Sequence, residues 1–406
     1  MRILLVNKFL YLNGGSESYM FSLANFLREK GNSVEFFGMQ NDKNIENSKY
    51  NVRNVDFKKG SISNTINPLK LIYSVEAKRN LERYILDFKP DIIHLNNYNY
   101  QLTPSIIYAA KKYGIPVIQT VHDTNVVCPY HRLYNYKEQS ICEKCKGRKY
   151  YNCLKTKCID NSFLKSLIGT SESYLYKFLK TYDYIKYFIC PSQFMNDKLQ
   201  EFGIDGSKNV TISNFIDSNK LSNLNKNINE KPYVLYFGRV SSEKGVKDLV
   251  KAAKLIPEIQ IKICGTGPMV EELISYISHN QMKNVELLGF KSGDELVDTI
   301  KNAKASIVPS LCYDNCPMSI IESKACGVPV IGSKIGGIPE LIRDGTDGYL
   351  YEPGDYEALA NKIKNLIENK ELLEMFSNNS IIDYKERFTV EKYYEQLIKI
   401  YNKCLN

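Results

Sequence analysis

Length, composition and charge already exclude several classes of protein. The chain has 406 residues, 43% hydrophobic and 24% charged, with a formal net charge of +9, which is ordinary for a globular protein. Its length exceeds the usual size of one hydrophobic core, so two domains are expected. No apolar run approaches the roughly 20 residues of a membrane span, and Arg2–Val6 is too short for a signal peptide. The sequence therefore predicts a cytoplasmic protein whose eleven cysteines are reduced or bound to metal.

The first half of the chain alternates predicted strands and helices. Arg2–Val6 is predicted as a buried strand, Gly14 and Gly15 open a helix that Gly31 ends, and residues 34–37 form the next strand. This alternation is typical of an α/β domain with a parallel sheet. A tight turn that needs the flexibility of glycine is the alternative explanation of the Gly14-Gly15 pair.

Two histidines lie at the ends of further predicted strands, residues 91–95 and 116–121. His94 is close to the end of the first strand, and His122 follows the second. Ligands bind at the carboxyl edge of open parallel sheets, which is where such residues meet. By itself, a histidine in this place is more often a hydrogen-bonded structural residue, and we predict that role for His94.

Predicted strands in the second half end in loops of small residues. They are Tyr233–Phe237 with loop 238–245, residues 259–264 with loop 265–268, and Ala305–Val308 with loop 309–310. Arg239 and Lys244 in the first loop suit a diphosphate, because arginine grips two phosphate oxygens and lysine supplies a point charge. For an isolated pair of cations, a solvated basic loop is the alternative explanation.

Two carboxylates, Asp314 and Glu322, lie eight positions apart across a predicted junction between a loop and a helix. The helix is predicted over residues 319–325 and ends at Gly327. Its first turn offers unpaired backbone N–H groups and the positive end of the helix dipole, which together form an anion site. Carboxylates beside such a site can accept hydroxyl hydrogen bonds, so the pattern favours a sugar-phosphate ligand.

Taken together, these motifs resemble the retaining family-4 glycosyltransferases of GT-B fold. The resemblance covers residues 232–350 and rests on the order and spacing of four motifs. They are Gly238-Arg239 with Lys244-Gly245, Gly265-Thr266-Gly267-Pro268, an acid followed after seven residues by Glu322, and Gly336-Gly337-Ile338-Pro339-Glu340. It implies an α/β fold of two Rossmann-like domains that face each other across a cleft.

The same resemblance implies an activity and a set of partners. It implies transfer of a hexose, with retention of anomeric configuration, from a nucleotide-diphosphate donor in cell-surface polysaccharide or glycan synthesis. A UDP-sugar is the favoured donor, and a saccharide or a lipid-linked hydroxyl is the acceptor. No D-x-D triplet occurs in the sequence, so we expect no metal cofactor for catalysis, with two cations in place of a divalent ion.

Roles for individual residues also follow from the resemblance. It implies a catalytic set of His122, Arg239, Lys244 and Asp314. The implied donor-binding residues are Gly14, Gly15, Arg239, Lys244, Gly265, Gly267, Asp314, Asn315, Cys316, Pro317, Met318, Ser319 and Glu322. One departure stands out, because the family usually has glutamate at the position of Asp314. This departure leaves open a non-catalytic partner subunit that binds the donor, and a nucleotide-sugar epimerase of the same fold is a second alternative.

The expected domain organisation follows that of the family. Residues 1–215 form an N-terminal, acceptor-side domain with a cysteine-rich insert at about 128–160. Residues 216–388 form the donor domain, and residues 389–406 form a helix that crosses back to the N-terminal domain.

The insert contains four closely spaced cysteines, Cys142, Cys145, Cys153 and Cys158. Four thiolates within this span suffice for a structural zinc site that would staple a loop poor in hydrophobic residues. Free or regulatory thiols, an iron–sulfur cluster and disulfides are the alternatives. Cys128 and His131 lie nearby as spare ligands.

Positive charge is concentrated in the first half of the chain. Residues 1–215 contain 30 Lys/Arg and 19 Asp/Glu, whereas residues 216–406 contain 24 and 26. Much of the excess lies between Lys137 and Lys186, where apolar residues recur near helical spacing. Such a segment can contact the inner face of an anionic membrane, although a core helix has the same pattern. No nucleic-acid partner is expected, because no recognisable nucleic-acid module is present.

Overall fold

Two parallel six-stranded sheets organise the protein. A computed structural model describes residues 1–54, 69–217 and 232–405. The strands are β1 Arg2–Val6, β2 Ser33–Phe37, β3 Ile92–Leu95, β4 Val117–Thr120, β5 Tyr134–Asn135, β6 Ser140–Ile141, β7 Ile185–Cys190, β8 Asn209–Thr211, β9 Tyr233–Phe237, β10 Gln260–Cys264, β11 Val285–Gly289, β12 Ala305–Val308, β13 Val330–Ser333 and β14 Gly348–Tyr351.

Helices connect the strands and cover the sheets. They are α1 Gly15–Glu29, α2 Leu69–Ile72, α3 Val75–Phe88, α4 Ile106–Lys112, α5 Tyr151–Thr156, α6 Phe163–Phe178, α7 Gln193–Glu201, α8 Val246–Leu255, α9 Val270–His279, α10 Gly293–Asn302, α11 Met318–Ala325, α12 Ile338–Leu341, α13 Tyr356–Glu368, α14 Lys370–Arg387 and α15 Val390–Leu405. Within the described ranges, every helix is too short or too polar to cross a membrane.

The strand order places a switch point in each sheet. The first sheet has the order β2-β1-β3-β4-β7-β8 and the second the order β11-β10-β9-β12-β13-β14, with all neighbours parallel. In each sheet the chain first adds strands on one side of the starting strand, β1 or β9, and then adds the remaining strands on its other side. The connections therefore diverge between β1 and β3 and between β9 and β12. Open α/β sheets bind ligands at the carboxyl ends of the strands at such a point.

Burial explains why these segments form parallel strands. All five residues of β9 are buried, as are all four residues of β12 and of β13. Helices on both faces of a parallel sheet leave no solvated side, so its strands are nearly continuous apolar runs. The two α/β halves predicted from the sequence are confirmed by these two sheets.

Several predicted elements coincide with the observed ones, and one is shorter than predicted. Strands β1, β9 and β12 have the predicted bounds. The strand predicted over residues 116–121 covers only Val117–Thr120, and Thr181–Tyr184 before β7 forms a 3₁₀ turn. A single turn of 3₁₀ helix leaves no periodicity long enough to be read from a sequence.

By its internal contacts the chain divides into two compact units. The first comprises Met1–Glu138, Cys142–Ile212 and Tyr394–Asn406, and the second comprises Gln139–Ile141 and Ser213–Tyr393. The first unit therefore includes the greater part of α15. In that unit the buried His94 lies between two hydroxyl groups, with Nδ1 2.8 Å from Tyr401 Oη and Nε2 2.7 Å from Thr120 Oγ1. These contacts agree with a structural role for His94.

A buried ion cluster anchors helix α11 in the second unit. Lys324 is 0% exposed, and its Nζ lies 2.8 Å from Asp347 Oδ2 and 2.6 Å from Asp383 Oδ2. Arg343 forms a further ion pair of 2.7 Å with Asp383. Because Asp383 belongs to α14, the cluster joins the last turn of α11 to another helix of the same unit.

Candidate functional site

Four loops meet at the switch point of the second sheet. They follow β9, β10, β12 and β13, and they are joined through their backbones. The amide of Val240 donates to Thr266 O at 3.0 Å, the amide of Leu311 to Glu243 O at 2.8 Å, and the amide of Gly337 to Asp314 O at 2.7 Å. The three glycine-bearing motifs and the first acid of the sequence analysis are therefore neighbours at one edge of the sheet.

Glycine is required where these loops touch. Gly245 has φ +65°, and a Cβ atom there would lie 1.8 Å from Pro309 O. At Gly265, a Cβ atom would lie 1.8 Å from Gly238 O, and at Gly267 it would lie 2.1 Å from Val240 O. Backbone segments this close leave no room for a side chain. Only glycine at these positions therefore allows the loops to come together as they do.

We expect Gly245→Ala to destabilise the protein more than Gly345→Ala does. Gly345 has a similar φ of +72° but no atom within 4 Å of its ideal Cβ, so its substitution measures conformational strain alone. Overpacking against the Pro309 carbonyl should add about 1–3 kcal/mol to the loss of unfolding free energy at Gly245. Urea denaturation of both variants measures this difference. Equal losses of unfolding free energy in the two variants would show that the loop after β12 can move away from a Cβ atom at position 245.

The predicted residues Lys244 and Asp314 form an ion pair between the β9 and β12 loops. Lys244 Nζ lies 2.5 Å from one oxygen of Asp314, and the Ser310 hydroxyl donates to the other. Burial alone would lower the pKa of Lys244, but the Asp314 carboxylate beside it offsets this effect, and the pKa lies above its ordinary value. Lys244 is therefore a fixed positive charge at the switch point.

Arg239 in the same loop is an exposed cation. In the part of the chain that the structure describes, its guanidinium has no acidic partner. Its carbonyl accepts a hydrogen bond of 2.6 Å from the hydroxyl of the buried Tyr236, which fixes the backbone at this position. An exposed guanidinium on an anchored backbone keeps its five donors available to an anion.

The N-terminus of α11 lies directly after the loop that contains Asp314. Pro317 precedes the helix, and the backbone N–H groups of Met318 and Ser319 have no acceptor among the described residues. Unpaired amides of a first helical turn attract anions. Cys316 is buried, and its carbonyl accepts from Asn214 Nδ2 at 3.2 Å, which holds the start of the helix in place.

Glu322 follows one turn later on the same helix. Its side chain is partly exposed, and no cation pairs with it in the described ranges. Burial raises the pKa of Glu322 to about 7. The carboxyl group is therefore divided between its neutral and ionised forms near neutral pH, which makes it a titratable acceptor beside an anion-binding helix end.

The first sheet carries a second polar cluster at its own switch point. His122 Nε2 lies 3.0 Å from Asn96 Oδ1, and the rings of His122 and Tyr19 meet edge to face at 4.9 Å. Burial lowers the pKa of His122 to about 4, so its imidazole is neutral at pH 7. A neutral imidazole can donate or accept one hydrogen bond at the sheet edge without adding charge.

Gly14 and Gly15 lie beside this cluster, where α1 begins. The Ser16 hydroxyl accepts from Asn97 Nδ2 at 2.9 Å, and the buried Glu17 accepts from Asn7 Nδ2 at 3.0 Å. Burial raises the pKa of Glu17, while the hydrogen bond from Asn7 acts against this. The glycine turn is thus fixed to the loops after β1 and β3.

Sequence reasoning missed the partners that hold the predicted residues. These are Ser310 in the second unit and Asn7, Asn96, Asn97 and Tyr19 in the first. One signal was available, because the three asparagines directly follow strands β1 and β3 in sequence, and polar residues at carboxyl strand ends mark binding edges. The predicted site residues form two groups, His122 with the Gly14-Gly15 turn in the first unit and Arg239, Lys244, Asp314 and Glu322 in the second.

The cysteines of the insert also come together. A small cavity of about 10 Å³ is lined by Cys142, Cys145, Cys153 and Cys158, and by Cys128. In the described part of the chain, however, no three His, Cys, Asp or Glu side chains are arranged to hold one metal ion. The zinc site expected from the spacing stays a prediction.

Two family models match the chain, one in each half. The model of Glycosyltransferase Family 4 matches residues 13–148, and the model of Glycosyl transferases group 1 matches residues 217–383. The second match contains all four loops of the second switch point. The first contains the glycine turn, His122 and part of the cysteine insert.

Curated relatives include two proteins named as glycosyltransferases and one from a cps region. An uncharacterized glycosyltransferase of Methanocaldococcus jannaschii is 30% identical over an aligned region that covers 53% of this chain and 59% of that relative. The capsular polysaccharide biosynthesis glycosyltransferase CapM of Staphylococcus aureus is 26% identical over 68% of this chain and 70% of its own. An uncharacterized protein from the cps region of Klebsiella pneumoniae is 26% identical over 99% of this chain and its full length.

Solved structures share the fold over the whole chain. A glycosyltransferase of Rickettsia africae has a TM-score of 0.70 at 18% identity, with 100% of this chain and 98% of the other covered. HepE of Anabaena in complex with UDP-glucose has a TM-score of 0.71 at 18% identity, with coverage of 99% and 100%. The chain belongs to the family-4 glycosyltransferases, the glycosyl transferases group 1, and has their GT-B fold.

Proposed function

We propose that the protein is a retaining glycosyltransferase that moves a hexose from a UDP-sugar to a hydroxyl group of a saccharide or lipid-linked acceptor. The observation that carries this proposal is the meeting of Lys244, Asp314 and the α11 N-terminus at the switch point of the second sheet. A fixed cation, unpaired amides and nearby carboxyl groups match a nucleotide-diphosphate sugar, which is anionic at one end and rich in hydroxyls at the other.

Relatives support the class of pathway and of donor. CapM is a capsular polysaccharide biosynthesis glycosyltransferase, and HepE has been solved with UDP-glucose bound. For this chain, we propose a role in cell-surface polysaccharide or glycan synthesis with a UDP-hexose as the donor.

Each group at the second switch point has a role in donor binding. The guanidinium of Arg239 and the ammonium of Lys244 bind the diphosphate, together with the amides of Met318 and Ser319. Lys244 has three N–H donors and uses one on Asp314, so two are left for phosphate oxygens. Glu322 accepts hydrogen bonds from the ribose hydroxyls, and Asp314 accepts from the transferred sugar.

The transfer exchanges one C–O bond for another on the same face of the sugar. The bond between the anomeric carbon and the diphosphate breaks, the acceptor oxygen bonds to that carbon, and the acceptor proton passes to the leaving diphosphate. Preorganised cations act where negative charge develops, which is usually the largest electrostatic contribution to such a step. Arg239 and Lys244 supply that charge, and the family resemblance assigns to His122 a hydrogen bond that orients the sugar.

We propose that this step needs no metal ion. The chain has no D-x-D triplet, and the two cations of the loop after β9 can neutralise the diphosphate themselves. Any zinc that the protein binds would have a structural role, because the candidate ligands are cysteines of the insert and none of them belongs to the four loops.

Calorimetric titration with UDP, GDP and ADP, with and without a chelator, tests the donor site. We expect binding of UDP with an affinity that the chelator leaves unchanged. Transfer from UDP-hexoses to candidate acceptors, followed by NMR of the anomeric proton, then tests the reaction and its stereochemistry. No binding of any nucleotide would contradict the proposal, and release of an epimer without an acceptor would favour an epimerase.

The raised pKa of Glu322 predicts a pH dependence of donor binding. Burial moves this pKa upward to about 7, so the carboxyl group is protonated below pH 7 and loses acceptor capacity there. The affinity for UDP should therefore rise between pH 6 and pH 8, by up to roughly tenfold for one titrating group. Glu322→Gln is the control, because the diphosphate titrates in both proteins and only the wild type carries the carboxyl group. Parallel pH profiles of UDP affinity in the wild type and in Glu322→Gln would show that Glu322 does not bind the ribose.

We further propose that helix α6 contacts the inner face of an anionic membrane. Phe163, Leu164 and Leu167 are exposed at its start and Phe178 is 84% exposed at its end, whereas Ile168 is buried within the unit. Apolar side chains exposed among lysines suit an anionic lipid surface. Sedimentation with vesicles of phosphatidylglycerol, and with phosphatidylcholine as the control, tests this contact. Equal sedimentation of wild type and Phe178→Ser would contradict it.

A further inference from the structure

Five cysteines from separate segments converge on one cavity of the first unit. Cys128 follows β4, Cys142 and Cys145 follow the short strand β6, Cys153 lies in α5, and Cys158 lies beyond that helix. The cavity that they line has a volume of about 10 Å³, close to the space that one water molecule needs. A monatomic ion is therefore of the right size for it.

Cys128 lies in a turn whose backbone amides surround its sulfur. The backbone N–H groups of Tyr130, Arg132 and Leu133 are directed at it. Backbone amides that surround a sulfur stabilise its charged form, which is the form that binds metals. The turn after β4 is thus shaped around the sulfur of Cys128.

Cys145 lies at the centre of the cluster. The sulfurs of Cys128, Cys142 and Cys158 are its neighbours around the cavity. Thiolates this close repel each other unless a cation lies between them. Cys153 differs from these four, because its S–H donates to Ser166 O at 3.9 Å and its Sγ accepts from the Cys158 thiol at 3.1 Å.

We infer that Cys128, Cys142, Cys145 and Cys158 bind one zinc ion, with Cys153 as a neighbouring thiol whose S–H is directed at the backbone of Ser166. This set replaces Cys153 of the sequence prediction by Cys128. Zinc suits four thiolates in a tetrahedron, and its charge removes their mutual repulsion. Among the described residues no three such side chains are arranged around an ion, so zinc binding would require the sulfurs to move closer together. Binding would also release the thiol protons.

The zinc ion would tie the insert to the loop that begins at His122. Cys128 lies six residues after His122, and its amide donates to Thr124 O at 2.8 Å within that loop. A metal bound at Cys128 therefore fixes the segment between the proposed catalytic histidine and the insert. The inference adds a structural site to the proposed transferase, and its test does not depend on activity.

Metal content and thiol state of purified protein test the inference. We expect elemental analysis to find about one zinc per chain after dialysis has removed unbound zinc. Removal of the bound zinc by a strong chelator should lower the melting temperature. Cys128→Ser and Cys145→Ser should each lower the zinc content several-fold. Cys153→Ser and Cys190→Ser, a buried cysteine of β7, should retain zinc at the wild-type level.

Three outcomes would overturn the inference. They are wild-type protein without zinc after dialysis, full zinc content in Cys128→Ser, and a mass lower by two hydrogens that maps to a Cys153–Cys158 disulfide. The variants are compared by circular dichroism, so that loss of metal is separated from loss of fold. Normal UDP binding by a zinc-free protein would leave the proposed function intact, whereas zinc binding without nucleotide binding would leave this inference intact.

Discussion

Lys244→Ala should lower kcat/KM for the sugar donor by roughly 10²–10³-fold, the scale for loss of one preorganised group that stabilises developing charge. Lys244 is the fixed cation between the β9 and β12 loops, and Asp314 keeps it charged. Affinity for UDP should fall by roughly 1.5–3 kcal/mol, since a charge-assisted contact to phosphate is lost. Steady-state kinetics and calorimetry measure the two effects separately.

Lys247→Ala is the matched control for this variant. Lys247 lies in α8, three residues further on, and pairs with Glu272 at 2.6 Å on the exposed surface. Its removal changes the net charge by the same amount, so long-range attraction of the donor is equally reduced. Wild-type turnover by Lys244→Ala, or an equal loss in both variants, would contradict a specific contact with the diphosphate.

Lys324→Met should reduce the free energy of unfolding by about 3–5 kcal/mol, the range for a buried ion pair that loses one partner. The substitution keeps the length of the side chain but leaves Asp347 and Asp383 buried without their ammonium partner. Arg343 still pairs with Asp383, so the uncompensated charge falls mainly on Asp347. Urea denaturation measures the loss.

Lys304→Met serves as the control, because Lys304 is exposed and its side chain has no partner in the described ranges. Its substitution should change stability by less than about 0.5 kcal/mol. The double variant Lys324→Met with Asp347→Asn should recover part of the lost stability, since it removes the unpaired charge. Additive losses in the double variant would show that the ion cluster is not a coupled unit.

Much of the fold follows from local sequence patterns. The parallel strands are short apolar runs between glycine-bearing loops, so the spacing of Tyr233–Phe237 and Ala305–Val308 predicts a sheet and its binding edge. The loops that carry Arg239, Lys244 and Asp314 were predicted at that edge, and they adjoin each other there. Local patterns sufficed here because a parallel sheet brings successive strand ends together.

Contacts between distant residues were not predictable in this way. The ion pair of Lys324 with Asp383 joins residues 59 positions apart, and no periodicity marks either side chain as buried. The bond between Ser310 and Asp314 depends on the course of one loop. The strength of such contacts depends on burial and distance, which a single sequence does not contain.

The passage of α15 from the second unit to the first constrains the order in which the protein can fold during synthesis. His94 reaches its hydroxyl partner Tyr401 only after the residues beyond Tyr393 have been made, and by then the ribosome has completed the whole second unit. Domains generally fold as units, the N-terminal one first, as the chain is translated. Here helical turns that are made late complete a core that begins with the first strand, so a nascent chain carries the His94 imidazole without its tyrosine partner until Tyr401 has been made.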